Sequence, residues 1–157
     1  MPPARAHQSA PHPAGDPWTY TTHWRVRQYE LDFNGHVSNA MYLNYVAQIT
    51  SEHGEASGFG RAWSLEHGGA WMVHRHQIIY HRPAMLDDEL ELKARVRSLR
   101  GVRGVRETSI TRIADQAPIA DIESEWVWVR LSDGRPTRVP QEIVDAYRDP
   151  PTYMTGR

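Results

Sequence analysis

Asp32 is the residue best placed to do chemistry. It lies in the run YELDFNGHVSNAMYLNY (Tyr29 to Tyr45), where a lone carboxylate is followed by turn residues and then by an apolar helical pattern. A carboxylate just ahead of a helix supplies a base or nucleophile, and the unpaired N–H groups of the first turn stabilise developing negative charge. That combination suits acyl transfer. Ser38 or Asn39 is expected to cap the helix through a short side-chain oxygen. The competing use of Asp32 is structural, accepting backbone N–H groups of its own turn. His36, four residues on, serves equally as a partner for substrate or Asp32, or as a residue packed under the turn.

A second constellation is basic. Arg95, Arg97, Arg100, Arg103 and Arg106 are interleaved with Gly101 and Gly104. Arg95 and Arg97 alternate with Ala94 and Val96 and read as a solvated strand face. Arg100 and Arg103 flank the glycine turn, where guanidinium groups can take phosphates in bidentate fashion or meet an acidic carrier protein. His74 and His76 share a side of an extended strand. Without Cys or a nearby acid in sequence they argue for pocket or interface lining rather than zinc.

The string D-x-x-G-H-V-x-N-A-x-Y-L-x-Y, read at Asp32, Gly35, His36, Val37, Asn39, Ala40, Tyr42, Leu43 and Tyr45, resembles the signature of hotdog-fold acyl-CoA thioesterases of the 4-hydroxybenzoyl-CoA thioesterase family. Ile79-Tyr80-His81-Arg82-Pro83 followed by Asp87-Asp88-Glu89-Leu90 resembles a second piece of that family, and together the matches span about Tyr20 to Tyr147. The resemblance implies an acyl-CoA thioesterase in which Asp32 faces the thioester carbonyl, as nucleophile or as general base. It carries Asp32 and His36 as catalytic candidates. Gly35, Val37 and Asn39 follow as substrate-binding candidates, the amides of Val37 to Asn39 being oxyanion or positioning donors. Arg100 and Arg103 correspond to the turn that takes coenzyme A phosphates.

The resemblance also implies a homodimer or homotetramer with its active site at the protomer interface, and no cofactor beyond the coenzyme A of the substrate. Alternatives in the same scaffold are an acyl-carrier-protein thioesterase, a hydratase or dehydratase, and a non-catalytic acyl-thioester binder. The hydratase signature needs a longer D-x-N-P-x-H string, and this chain lacks the Pro and is one residue short. Many members of the family carry Glu and Arg where Ala47 and Thr50 stand here. A branch with its catalytic glutamate on the helix would have to use Glu52 or Glu55.

The elements that must position these residues fit one α+β domain, a hotdog fold in which a curved antiparallel sheet wraps a central helix. Strands are expected over Thr19 to Leu31, Trp71 to His81, Glu89 to Leu99, Arg106 to Ile113 and Ile119 to Leu131. The helix is expected over Asn39 to about His53, apolar on most sides and ended by Gly54, with a short helix from Pro140 to Tyr147. Trp126 and Trp128 should share a strand face, and Trp63 and Trp71 could narrow an acyl tunnel. Residues 1–17 and 149–157 read as tails around a domain of 18–148. The 157 residues carry a net charge of −1, so no basic field draws the chain to nucleic acid or membrane. The N-terminal stretch lacks an apolar signal core, and a cytoplasmic location is the default expectation.

Overall fold

The computed structural model describes residues 18–147. The expected tails, 1–17 and 149–157, fall outside the described residues. The chain runs β1 (Thr19–Arg25), a 3-10 turn (Gln28–Glu30), α1 (Met41–Ala56), α2 (Arg61–Glu66), β2 (Gly69–Tyr80), β3 (Glu89–Arg100), β4 (Arg103–Arg112), β5 (Pro118–Arg130) and α3 (Gln141–Ala146). The strands form one antiparallel sheet in the order β1-β3-β4-β5-β2. Alternation sets its two faces. Along β5, Ala120, Ile122, Ser124 and Trp128 are buried, whereas Asp121, Glu123 and Glu125 face outward among arginines. That outer face is laced with ion pairs such as Arg95–Glu107 and Arg97–Glu123.

α1 lies on the inner face. Tyr42, Tyr45, Val46, Ile49 and His53 are its buried residues, at the i, i+3, i+4, i+7 spacing of one helical stripe. They pack with Tyr20, Trp24, Leu90, Leu92, Ile110 and Ile122 in the main core. The expectation of a helix buried on most sides is therefore corrected, since Leu43, Ala47, Gln48 and Ser51 stay exposed. Gly54 does not end the helix either. It stays within α1, and the stop comes at Ser57, whose hydroxyl donates to the His53 and Gly54 carbonyls. α2, absent from the sequence reading, begins where Glu55 Oε1 accepts the Arg61 N–H at 3.1 Å. A second cluster, built on Trp18, Val96, Trp128, Ile143 and Tyr147, seats α3.

Gly104 was expected to punctuate the β3–β4 turn, and it lies inside β4 instead. A Cβ there would sit 3.1 Å from Leu99 and 3.2 Å from the Trp71 ring, so glycine lets that indole approach the strand closely. The turn itself belongs to Gly101, whose φ is +61°.

Candidate functional site

The turn after the 3-10 segment holds Asp32. Its Oδ1 accepts the Asn34 N–H at 2.9 Å and the His36 N–H at 3.3 Å. The turn closes through Asp32 N–H to the His36 carbonyl and Gly35 N–H to the Asp32 carbonyl. Gly35 has φ +79° with open space around it, a conformation that costs other L-residues strain. The structural and chemical uses of Asp32 thus fall on different atoms. Oδ1 is held by backbone, and Oδ2 has no hydrogen-bond partner among the described residues.

What anchors this turn is Glu30, only 1% exposed. Its carboxylate takes the Arg27 backbone N–H at 2.7 Å and the Arg27 guanidinium at 2.8 Å. The guanidinium lies 4.6 Å over the Trp24 ring. Burial, reinforced by the neighbouring Glu30 charge, pushes the Tyr45 phenol well above its ordinary pKa, so it stays neutral. The Glu30 carbonyl accepts the Ser38 N–H at 2.9 Å, tying the far side of the turn to the same anchor. Sequence reasoning passed over Glu30 because nothing in its neighbours marks that carboxylate as buried.

The turn is also braced from the β2–β3 connection. His36 bridges Met85, and Val37 N–H donates to the Ala84 carbonyl at 2.9 Å. Arg112 holds that connection, donating to Asp88 at 3.1 Å, to the Pro83 carbonyl and to both oxygens of Asp115. Burial pushes the Tyr42 phenol up to about 12 against the same segment.

Two details of the oxyanion expectation need correction. α1 starts at Met41 behind Ala40, with no side-chain cap, because the Ser38 carbonyl already receives the Met41 N–H at 2.9 Å. Neither Ser38 nor Asn39 caps it. The Val37 and Ser38 amides are likewise committed, to Ala84 and Glu30, which removes Val37 as a free donor. The Asn39 N–H has no acceptor among the described residues, while its carbonyl takes the Tyr80 hydroxyl at 2.9 Å. The His36 imidazole makes no hydrogen bond to the Asp32 carboxylate among the described residues. Phe33, 98% exposed, and Tyr29 and Met85, also exposed, rim the turn.

The basic residues divide three ways. Arg95 and Arg97 are ion-paired on the outer face, as their alternation indicated. Arg103 is paired with Glu125, whereas Arg100 makes no ion pair among the described residues. Arg100 ends β3 and its partner Arg103 opens β4, about 35 Å along the strand from the β3 start beside the Asp32 turn. One protomer does not bring them together with Asp32. Arg106 points the other way, into the protein, and burial pulls its guanidinium down to about 10. Period-two counting back from Ile110 through Thr108 would have found it. His74 falls at the register shift between Val73 and Arg75 and is exposed. His76 turns inward to Ser124 Oγ at 2.8 Å. No metal-binding cluster of His, Cys, Asp or Glu occurs among the described residues.

Residues 26–147 match the family model described as the thioesterase-like superfamily, and the chain belongs to that family. The long-chain acyl-CoA thioesterase FadM of Escherichia coli (strain K12) is 32% identical over 110 residues, covering 70% of this chain and 83% of FadM. The chloroplastic acyl-acyl carrier protein thioesterase ATL2 of Arabidopsis thaliana is 31% identical over 119 residues, which cover 76% of this chain but 63% of that relative. The crystal structure of YbaW, a probable thioesterase from Escherichia coli, superposes with a TM-score of 0.73 at 29% identity, covering 80% of this chain and 94% of YbaW. The 1,4-dihydroxy-2-naphthoyl-CoA thioesterase Slr0204 from Synechocystis shares the fold with a TM-score of 0.76 at 17% identity, over 83% of this chain and 96% of that one. The fold is the hotdog fold, and the class these relatives define is that of thioester hydrolases.

Proposed function

We propose that the protein hydrolyses acyl-CoA thioesters at Asp32, releasing a carboxylic acid and coenzyme A. The observation that carries this reading is the division of labour within one carboxylate. Backbone amides of Asn34 and His36 fix Oδ1, leaving Oδ2 to attack the thioester carbonyl or to take a proton from water. In the first route an Asp32–acyl anhydride forms as the thiolate leaves, and water then cleaves it. In the second, water adds directly. The Asn39 N–H, without an acceptor among the described residues, is the donor assigned to the oxyanion. The intact D-x-x-G-H-V-x-N-A string supports placement in the 4-hydroxybenzoyl-CoA thioesterase branch. The ATL2 likeness supports a second reading, with the acyl group on a carrier protein.

The working unit is at least a dimer. β2 is an edge strand of twelve residues with Met72, Val73 and Ile79 exposed, a long open edge that a second copy would cover. A second copy would also bring another Arg100 toward an Asp32 turn that its own Arg100 does not reach. Arg100 then takes a coenzyme A phosphate, while Arg103 is already engaged by Glu125. No helix among the described residues is long and apolar enough to cross a membrane, and the cytoplasm suits a coenzyme A substrate.

The test is thiol release from short, medium, long and aromatic acyl-CoAs and from acyl-carrier-protein thioesters, on protein sedimenting at twice the 18.0 kDa chain mass. Turnover of the coenzyme A esters supports the first reading, and turnover of carrier-protein esters alone supports the second. Release from neither, or activity in a monomer, overturns the proposal.

A further inference from the structure

A cavity of about 310 Å³ lies between the second half of α1 and the inner face of the sheet, away from the Asp32 turn. Thr50, on its wall, stands about 13 Å along the helix axis from Met41 at the α1 start. Ala47, Thr50, Ser51 and Gly54 present small groups to it from α1, and Val96, Leu99 and Trp71 give it apolar walls. Exposed Ala47, Ser51 and Arg61 mark its mouth.

The polar groups in this cavity are unusual in kind. Arg106 Nε, Trp126 Nε1 and Thr50 Oγ1 are all buried without a hydrogen-bond partner, and all three residues line it. Arginine and the indole N–H can only donate. No Asp or Glu lines the cavity, and no carboxylate among the described residues pairs with Arg106. The register explains the isolation. Arg106 lies in a row with Val96, Ser124 and His76 across the inner face, and Ser124 and His76 bond each other. The Glu107, Glu123 and Glu125 carboxylates engage arginines of the opposite face. Burial lowers the guanidinium pKa only to about 10, which leaves it a cation at neutral pH. A half-buried cation whose Nε is sealed in without a partner, with two further idle donors inside apolar walls, is complementary to an oxyanion on an apolar body.

We propose that this cavity binds a carboxylate carried on an apolar group, its oxygens on Arg106, Trp126 and Thr50 and its body against Trp71 and Leu99. Two sources share that chemistry. One is a free carboxylic acid. The other is a carboxylate at the far end of the acyl chain, and that source rests on the thioesterase reading above.

Binding is read first, without catalysis. Octanoate and benzoate are titrated by calorimetry and by the fluorescence of the cavity tryptophans, against octanol and benzyl alcohol as neutral partners. The acids should bind at least tenfold more tightly than the alcohols, and Arg106→Met should abolish that preference while the melting temperature holds or rises, since an apolar isostere removes an unpaired buried charge. If that variant fails to fold, Thr50→Val and Trp126→Phe each remove one donor at constant charge and should weaken acid binding several-fold. No acid binding at millimolar concentration, equal affinity for acid and alcohol, or full acid binding in Arg106→Met overturns the proposal. Thiol release from hexanoyl-CoA and adipoyl-CoA then separates the sources. An adipoyl preference lost in Arg106→Met assigns the substrate's own carboxylate, and equal rates with octanoate bound assign a free acid. Absence of thiol release from both esters would retire the thioesterase reading and leave the binding result standing.

Discussion

The Glu30 carboxylate closes on the Arg27 guanidinium at 2.8 Å, two residues ahead of Asp32. One acid is sealed under the turn and the other is presented on it. Glu30→Gln keeps an acceptor for the Arg27 N–H and removes the charge. Removing one partner of a buried pair costs ~3–5 kcal/mol, and the partial exposure of Arg27 reduces the expected loss to about 2 kcal/mol. The melting temperature and kcat should fall together, because the anchor also holds Ser38. Thermal denaturation beside thiol-release kinetics checks this, and an unchanged kcat would separate the anchor from the site.

Gly35 offers a backbone test of the same turn. At φ +79° an alanine is strained by roughly 1–2 kcal/mol, with no clash to confuse the result. Gly35→Ala should lower kcat by more than its small loss of stability implies, since it displaces the Asn34 and His36 amides that hold Oδ1. Comparing kcat well below the melting temperature isolates the effect.

Asp115 supplies a pH dependence. Its bonds to Arg112 and to the Ala117 N–H hold its pKa at about 2, below the ordinary carboxylate value. A depressed folded pKa contributes stability above the unfolded value that is lost as pH falls through the folded one. Wild type should therefore lose this contribution between about pH 4 and pH 2. Asp115→Asn should lack that part of the slope, as acid denaturation followed by circular dichroism would show.

Arg100 and Arg103 should behave differently despite standing side by side. Arg100→Ala is expected to raise KM for acyl-CoA roughly tenfold at constant kcat, the size of one charge-assisted contact. Arg103→Ala, which gives up its pairing with Glu125, should leave KM near wild type. Raising the salt concentration should erase the difference between Arg100→Ala and wild type.

Much of this molecule was legible before any coordinates. Period-two alternation gave β2 to β5 within a few residues of their bounds, whereas the first strand, expected to reach Leu31, stops at Arg25 and gives way to the 3-10 turn; the motif placed Asp32 on its turn. The misses share a cause: they depend on how one element meets another. The α1 cap went unfilled because the Ser38 carbonyl does that work, and Gly104 left the turn for the strand because Trp71 crosses it. His74 falls at a register shift that no local pattern announces. Glu30 is a charged residue that tertiary packing buried, and Arg106 one whose Nε it buried. Arg106 was recoverable from the alternation of β4, and Glu30 was not.

The central claim is that the free oxygen of Asp32 does the chemistry. Asp32→Asn keeps an Oδ1 for the Asn34 and His36 amides, so the turn stays folded while the charge goes. The most direct measurement is thiol release from the preferred acyl-CoA by wild type and Asp32→Asn at equal melting temperature. The account predicts a fall of at least about a hundredfold, the scale of a positioned base or nucleophile. A variant within a few-fold of wild type would contradict it.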